Sequence, residues 1–188
     1  MRYESTADVM AERELTIVTG PIDSGKTSWC RKLAAANPAC GGVLLLKVYL
    51  QGQRIGYDAL FLPDGDTVPF ARVAGHEPAG WSTAERVGPF AISAAGLLAA
   101  NNWLAEAAAR PGDIIVDEIG PLELGDGGLS RGLSAVLASP LPRKLYLVVR
   151  RDCLETACDH FGISGYTLVD VDTGLGETDI GEAGSQKA

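Results

Sequence analysis

A chain of 188 residues that is 46% hydrophobic and 21% charged has the size and make-up of one globular domain. Folding at this size buries roughly 70% of the surface of the unfolded chain, so one core suffices without staples. The net charge of −8 argues against a broad basic face for nucleic acid, yet leaves room for a small phosphate site built from backbone amides and one lysine.

Residues 1–13 are a polar N-terminal extension, too charged to read as a signal peptide. Glu14–Gly20 is a short β-branched run ending in glycine, the pattern of a buried strand. Residues 25–36 follow as a helix that stops before Asn37-Pro38. After Gly41-Gly42 come three strand-like runs, 43–50, 54–62 and 67–73, separated by Gln51-Gly52-Gln53 and Pro63-Asp64-Gly65-Asp66. This meander is too long for a plain connection and reads as a β insertion on an α/β body. Residues 74–90, with Gly75, Pro78, Gly80, Gly88 and Pro89, read as a loop.

An Ala-rich helix is expected over 91–109, with Ile92, Ala95, Ala99, Trp103 and Ala107 near one face. Pro111-Gly112 ends it, and 113–120 is an apolar strand closing in two carboxylates. A Gly-rich loop leads to a helix over 129–138, whose shared face is Leu129, Leu133, Val136 and Leu137. A strand over 143–150, a helix over 152–161 and a strand over 165–170 complete the domain, 14–170. Strands alternating with helices predict a three-layer α/β fold on a mostly parallel sheet. The remainder, 171–188, is acidic and Gly-rich, and reads as a solvated, disordered tail.

The four cysteines are Cys30, Cys40, Cys153 and Cys158. Cys153 and Cys158 with His160 make a C-x4-C-x-H cluster, for which inert thiols are the favoured reading over a metal site; His76 and His160 receive no role. Lys47 breaks the longest apolar run, so neither membrane span nor membrane partner is expected, and the protein is placed in the cytoplasm with reduced thiols.

Gly20-Pro21-Ile22-Asp23-Ser24-Gly25-Lys26-Thr27 fits G-x-x-x-x-G-K-[ST] after an apolar strand and at the opening of a helix. The candidate phosphate-binding set is Gly20, Pro21, Ile22, Asp23, Ser24, Gly25, Lys26, Thr27 and Ser28, because such a loop wraps phosphate with inward N–H groups at a helix N-terminus. Lys26 would reach the β- and γ-phosphates, and the Thr27 hydroxyl would ligate Mg²⁺. Asp117, delivered by the apolar strand, would hold the same ion, and Glu118 would polarise the attacking water. Catalysis is therefore assigned to Glu118 and Lys26, metal binding to Thr27 and Asp117.

A cation acting on the transferring phosphoryl group is expected from Arg150 or Arg151, unless both are solvated or paired with tail carboxylates. Arg54, Arg72 and Arg86, in or beside the meander, are weaker candidates. Trp81 serves as a base-stacking group or, preferably, a loop anchor, while Trp29 and Trp103 are read as core.

With these motifs in place, the chain resembles the P-loop nucleoside-triphosphatase family first described in thermophiles, which includes a cancer-related nucleoside-triphosphatase. The resemblance rests above all on Asp117-Glu118-Ile119-Gly120-Pro121-Leu122-Glu123-Leu124, with Gly52–Tyr57, Pro69–Val73 and Val87–Phe90 similar in kind and order. It implies a RecA-like fold and Mg²⁺-dependent hydrolysis of NTP to NDP and phosphate, slow and with broad base tolerance. Where the family pattern has a polar Thr, an acidic residue and Val-Arg, the corresponding positions here are Leu45, Lys47, Val48 and Tyr49, an acidic-to-basic change at Lys47 that bears on substrate preference and rate.

Two other readings are weighed on the residues. A small-molecule or nucleotide kinase would use the same loop, with the meander covering an acceptor. A nucleotide-dependent adaptor or switch would use the acidic tail and meander to meet a protein partner. A guanine-specific switch would carry an N-K-x-D-like motif late in the chain, where LYLVVRR stands instead.

Overall fold

The structure, a computed structural model, describes residues 14–141 and 143–172. The extension 1–13 and most of the acidic tail, 173–188, lie outside the described residues. The strands are β1 (Glu14–Thr19), β2 (Gly41–Leu50), β3 (Gln53–Leu62), β4 (Thr67–Val73), β5 (Thr83–Val87), β6 (Phe90–Ser93), β7 (Ile114–Ile119), β8 (Lys144–Val149) and β9 (Tyr166–Asp170). The helices are α1 (Lys26–Ala36), α2 (Ala94–Ala108), the single turn α3 (Pro121–Leu124), α4 (Ser130–Ala138) and α5 (Leu154–Phe161), the last preceded by a 3-10 turn at Arg151–Cys153.

All strands join one sheet in the order β5-β6-β4-β3-β2-β7-β8-β1-β9. The half from β2 to β9 is parallel, as the alternation of strands and helices requires. The other half is antiparallel throughout, so the expected mostly parallel sheet is corrected to an evenly mixed one. The reason is local. Gln51-Gly52, both at positive φ, close a two-residue hairpin, and strands joined that way can only run antiparallel.

The β insertion therefore extends the sheet instead of forming a separate layer, and it runs on to residue 93. Residues 74–90, expected as a loop, contain β5 and the first residue of β6, whose other three residues stood at the start of an expected helix. β5 is an edge strand, largely exposed, and its Gly- and Pro-rich flanks hide it from a reading of composition.

Helices cover both faces, giving the three layers. On one face Cys30 and Leu33 of α1 pack over Val18, Leu44, Ile115 and Val148. On the other, Leu104 of α2, Leu133 and Val136 of α4 and Ala157 of α5 meet Ile17, Val43, Val116 and Leu147. The deep face of α2 is Gly96, Ala100, Asn101, Leu104 and Ala108, one position on from the face expected. Asn101 explains the shift: it donates to Leu97 O and Gly128 O and accepts from Gly132 N, so a polar residue anchors the α2–α4 contact.

Gly42 holds the sheet's two halves together. It lies at φ 128, and a Cβ there would stand 1.9 Å from Ile115 O, so only glycine permits β2 to lie this close to β7. The β2–β7 pairing ends at Val43 and Val116, while β2 continues to Leu50. The gap beyond that point is where the site forms. Among the described residues no helix is long and apolar enough to cross a membrane.

Candidate active site

The loop between β1 and α1, the strand end of β7 and the overhang of β2 converge at the C-terminal edge of the parallel strands, where open α/β sheets bind ligands. Gly25, at φ 100, is the N-cap of α1, and its left-handed conformation turns the loop into the helix. Lys26 is buried and donates from Nζ to Pro21 O at 2.9 Å and to Gly20 O at 3.1 Å. The lysine thus closes the loop upon itself.

Thr27 Oγ1 donates to Asp117 Oδ2 at 2.7 Å. The same oxygen accepts from Leu45 N at 3.3 Å, in the gap where β2 has left β7. Asp117 is fully buried, and burial pushes its carboxyl up to about 7, against the opposing effect of the Thr27 hydrogen bond. The β7–β8 register shifts between Asp117 and Ile119. Adjacent residues of a regular strand face opposite ways, but this bulge lets Asp117 and Glu118 line the same cavity. Glu118 lies 3.9 Å from Lys26 Nζ. Burial raises its carboxyl too, while Lys26 and Arg150 pull it back.

The cavity has a volume of about 670 Å³ and takes in Ile22 through Ser28, Asp117 and Glu118. Gly20 and Pro21 instead border a smaller hollow of about 410 Å³ beside Arg150–Asp152. Ser24 Oγ is buried with no hydrogen-bond partner among the described residues.

The arginine candidates separate cleanly. Arg150 lines the large cavity and is braced by Asp152, 2.6 Å away. Arg151 turns away to Asp170 at 2.6 Å and Asp172 at 3.6 Å. Arg72 is buried, paired with Asp58 and bonded to the Tyr57 and Ala71 carbonyls, a structural role. Arg86 is exposed and outside the cavity lining, whereas Arg54 is part of it.

Trp81 is half-buried and does not line the cavity; Tyr57 and Phe90 supply aromatic surface there instead. Trp103 stacks on Phe61 and donates to Leu62 O, and Trp29 packs against Tyr146, both as expected of core residues. His160 faces Asp126 at 3.3 Å. Cys30 and Cys40 are buried thiols, the latter pushed up to about 12 by burial, which makes it inert as a nucleophile.

Three cavity residues lie outside the catalytic, phosphate and metal sets assigned from the motifs. Arg31 follows Thr27 by four residues on α1, so helical spacing was its signal. Lys47 lines the cavity and pairs with Asp23 of the loop at 2.5 Å. Glu123, in the quoted Asp117–Leu124 stretch, is buried, with one oxygen accepting from Gly120 N at 2.9 Å and the other from Leu129 N at 3.0 Å. It fixes the turn that follows β7. Replacing Glu123 with Gln aims an NH2 group at one of those two N–H donors. The expected result is a loss of about 1–3 kcal/mol in stability by denaturant titration.

Such a strand–loop–helix, bonded across the sheet to a buried aspartate, belongs to the class of P-loop nucleotide-binding α/β proteins. A family model described as NTPase matches residues 15–172, and the chain belongs to that NTPase family. The nucleoside-triphosphatase THEP1 of Methanopyrus kandleri is 31% identical over 112 residues, 57% of this chain and 58% of that relative. The match thus spans somewhat more than half the length of the curated relative. The solution structure of a human cancer-related nucleoside triphosphatase aligns with a TM-score of 0.58 at 22% identity, over 84% of this chain and 87% of that one. The crystal structure of THEP1 from Aquifex aeolicus aligns with a TM-score of 0.60 at 17% identity, over 84% and 89%. At these identities the likeness is one of fold.

Proposed function

We propose that this chain is a Mg²⁺-dependent nucleoside triphosphatase that hydrolyses NTP to NDP and phosphate with broad base tolerance. The observation that carries the reading is the opening of Lys26, Thr27, Asp117 and Glu118 onto one cavity, with the Glu118 carboxylate 3.9 Å from Lys26 Nζ. The NTPase family and the name of the Methanopyrus relative support it.

The donor set suits the ion. Thr27 Oγ1 and Asp117 Oδ2 are hard oxygens 2.7 Å apart, and Mg²⁺ bound with phosphate needs only one or two protein ligands beside waters and phosphate oxygens. Bound there, it would supply neutralisation of charge on the β- and γ-phosphate oxygens.

The protein's own groups do the rest. Lys26 exchanges the Gly20 and Pro21 carbonyls for phosphate oxygens, and the unpartnered Ser24 hydroxyl gains an acceptor. Glu118 orients a water toward the γ-phosphorus and takes its proton, and the burial that raises its carboxyl makes it a stronger base. Arg150 meets the charge growing on the transferring group, a role from which the ion pairs of Arg151 remove it. Base tolerance is supported by the apolar part of the cavity lining, where Phe70, Ala71, Val87, Pro89 and Ile92 offer little to read a base edge.

The test is phosphate release from ATP, GTP, CTP and UTP with and without Mg²⁺. Release from all four, lost on chelation, is expected. Tight nucleotide binding with no release would instead favour a missing acceptor or partner.

A further inference from the structure

The antiparallel half of the sheet does more than extend it. Tyr57, in the middle of β3, and Phe90, at the start of β6, are not sequence neighbours and their strands are separated by β4. They nonetheless meet edge to face, with ring centroids 5.4 Å apart at 67°. Each packs on the core and also lines the cavity of the phosphate loop. The Arg54 guanidinium stands over both rings, 5.5 Å from the Tyr57 centroid and 5.8 Å from that of Phe90. It also donates to Asp23 Oδ1 at 3.2 Å. Asp23 belongs to the loop itself, so one guanidinium ties the aromatic pair to the phosphate-binding element.

We propose that Arg54, Tyr57 and Phe90 form the platform on which the nucleobase stacks when the phosphates lie on Gly20–Thr27. The proposal rests on the reading of this cavity as a nucleotide site, and deepens it by naming the groups that hold the base. Flat aromatic faces and a planar guanidinium bind any base through its π face, without reading its edge. The platform therefore adds affinity for nucleosides and little discrimination among them. Burial raises the Tyr57 hydroxyl above its ordinary range, so the ring stays neutral at physiological pH.

The experiment compares two probes by calorimetry in Mg²⁺: adenylyl imidodiphosphate, which carries a base, and inorganic tripolyphosphate, which does not. The parent is expected to bind the nucleotide about tenfold more tightly. Tyr57→Leu and Phe90→Leu, which keep apolar bulk against the core, should erase most of that difference and leave tripolyphosphate affinity unchanged. Arg54→Lys, which can still pair with Asp23, should erase part of it. Equal loss for both probes, or loss for neither, overturns the platform. Failure of the parent to bind either probe overturns the nucleotide reading itself, and the platform with it. Unchanged melting temperatures and circular dichroism confirm that the variants fold.

Discussion

Glu118→Gln is expected to lower phosphate release by roughly a hundredfold or more, while nucleotide affinity stays within a few-fold of the parent. The substitution keeps shape and hydrogen-bonding reach but removes the ability to accept a proton. Glu118 is well placed for that selective loss. It is half-buried in the cavity wall, 3.9 Å from Lys26 Nζ, and no hydrogen bond among the described residues ties its carboxylate to the fold. Its neighbour Asp117 has both a hydroxyl and an amide bonded to one oxygen. In the nucleotide-free chain Asp117 is thus held by two hydrogen bonds, whereas the Glu118 carboxylate has only its long contact with Lys26. Single-turnover release with saturating enzyme, beside calorimetric binding of a non-hydrolysable analogue, separates chemistry from affinity. A variant that hydrolyses at the parent rate would remove Glu118 from the mechanism.

The parts of the site that lie close together in the chain were legible in the sequence. Gly20–Thr27 is contiguous, and Asp117-Glu118 ends an apolar run, so local pattern sufficed to assemble the loop, the strand and the expected fold around them. What stayed hidden depends on strand pairing. Tyr57 and Phe90 end two separate stretches of the family resemblance, and they meet only because β4 aligns β3 with β6. Arg150 and Arg151 are adjacent in sequence and equally basic. The 3-10 turn that begins at Arg151 sends one to Asp170 and leaves the other on the cavity, a difference of backbone path and not of residue type. The face of α2 was misplaced for another reason. An Ala-rich helix carries a weak apolar stripe, and its buried face includes the polar Asn101, which bonds to Gly128 and Gly132. β5 was missed because an exposed edge strand has no buried face to alternate with.

The departure at Lys47 takes on physical meaning in the structure. Its ammonium does not enter the phosphate loop as a free cation but pairs with Asp23, which also holds Arg54. The Lys47 hydrogen bond holds the Asp23 carboxyl below its usual range. A basic residue on β2 is thus matched by an acidic residue in the loop, and together they join the hairpin of β2 and β3 to the phosphate-binding segment.

Asp117→Asn is expected to stabilise the nucleotide-free protein at neutral pH, even as it removes a carboxylate proposed to hold Mg²⁺. Both hydrogen bonds to Asp117 converge on one oxygen, from Thr27 Oγ1 and Leu45 N, so the amide oxygen of Asn can accept both. What the substitution removes is the cost of ionising a fully buried carboxyl, whose value is pushed from 3.8 up to about 7 in the folded chain. Between those values the folded state holds a proton that the unfolded state has released, so stability falls as pH rises. The loss is complete above the folded value and amounts to no more than about 4 kcal/mol. At pH 3.5, below the unfolded value, the carboxyl is mostly neutral in both states, and parent and variant should melt nearly alike. At pH 8 the variant should melt about 5 °C or more above the parent. Scanning calorimetry from pH 3.5 to 8 measures both ends. A variant that melts below the parent at pH 8 would mean that the Asp117 carboxylate is net stabilising in the free protein, with its two hydrogen bonds and Lys26 outweighing its burial.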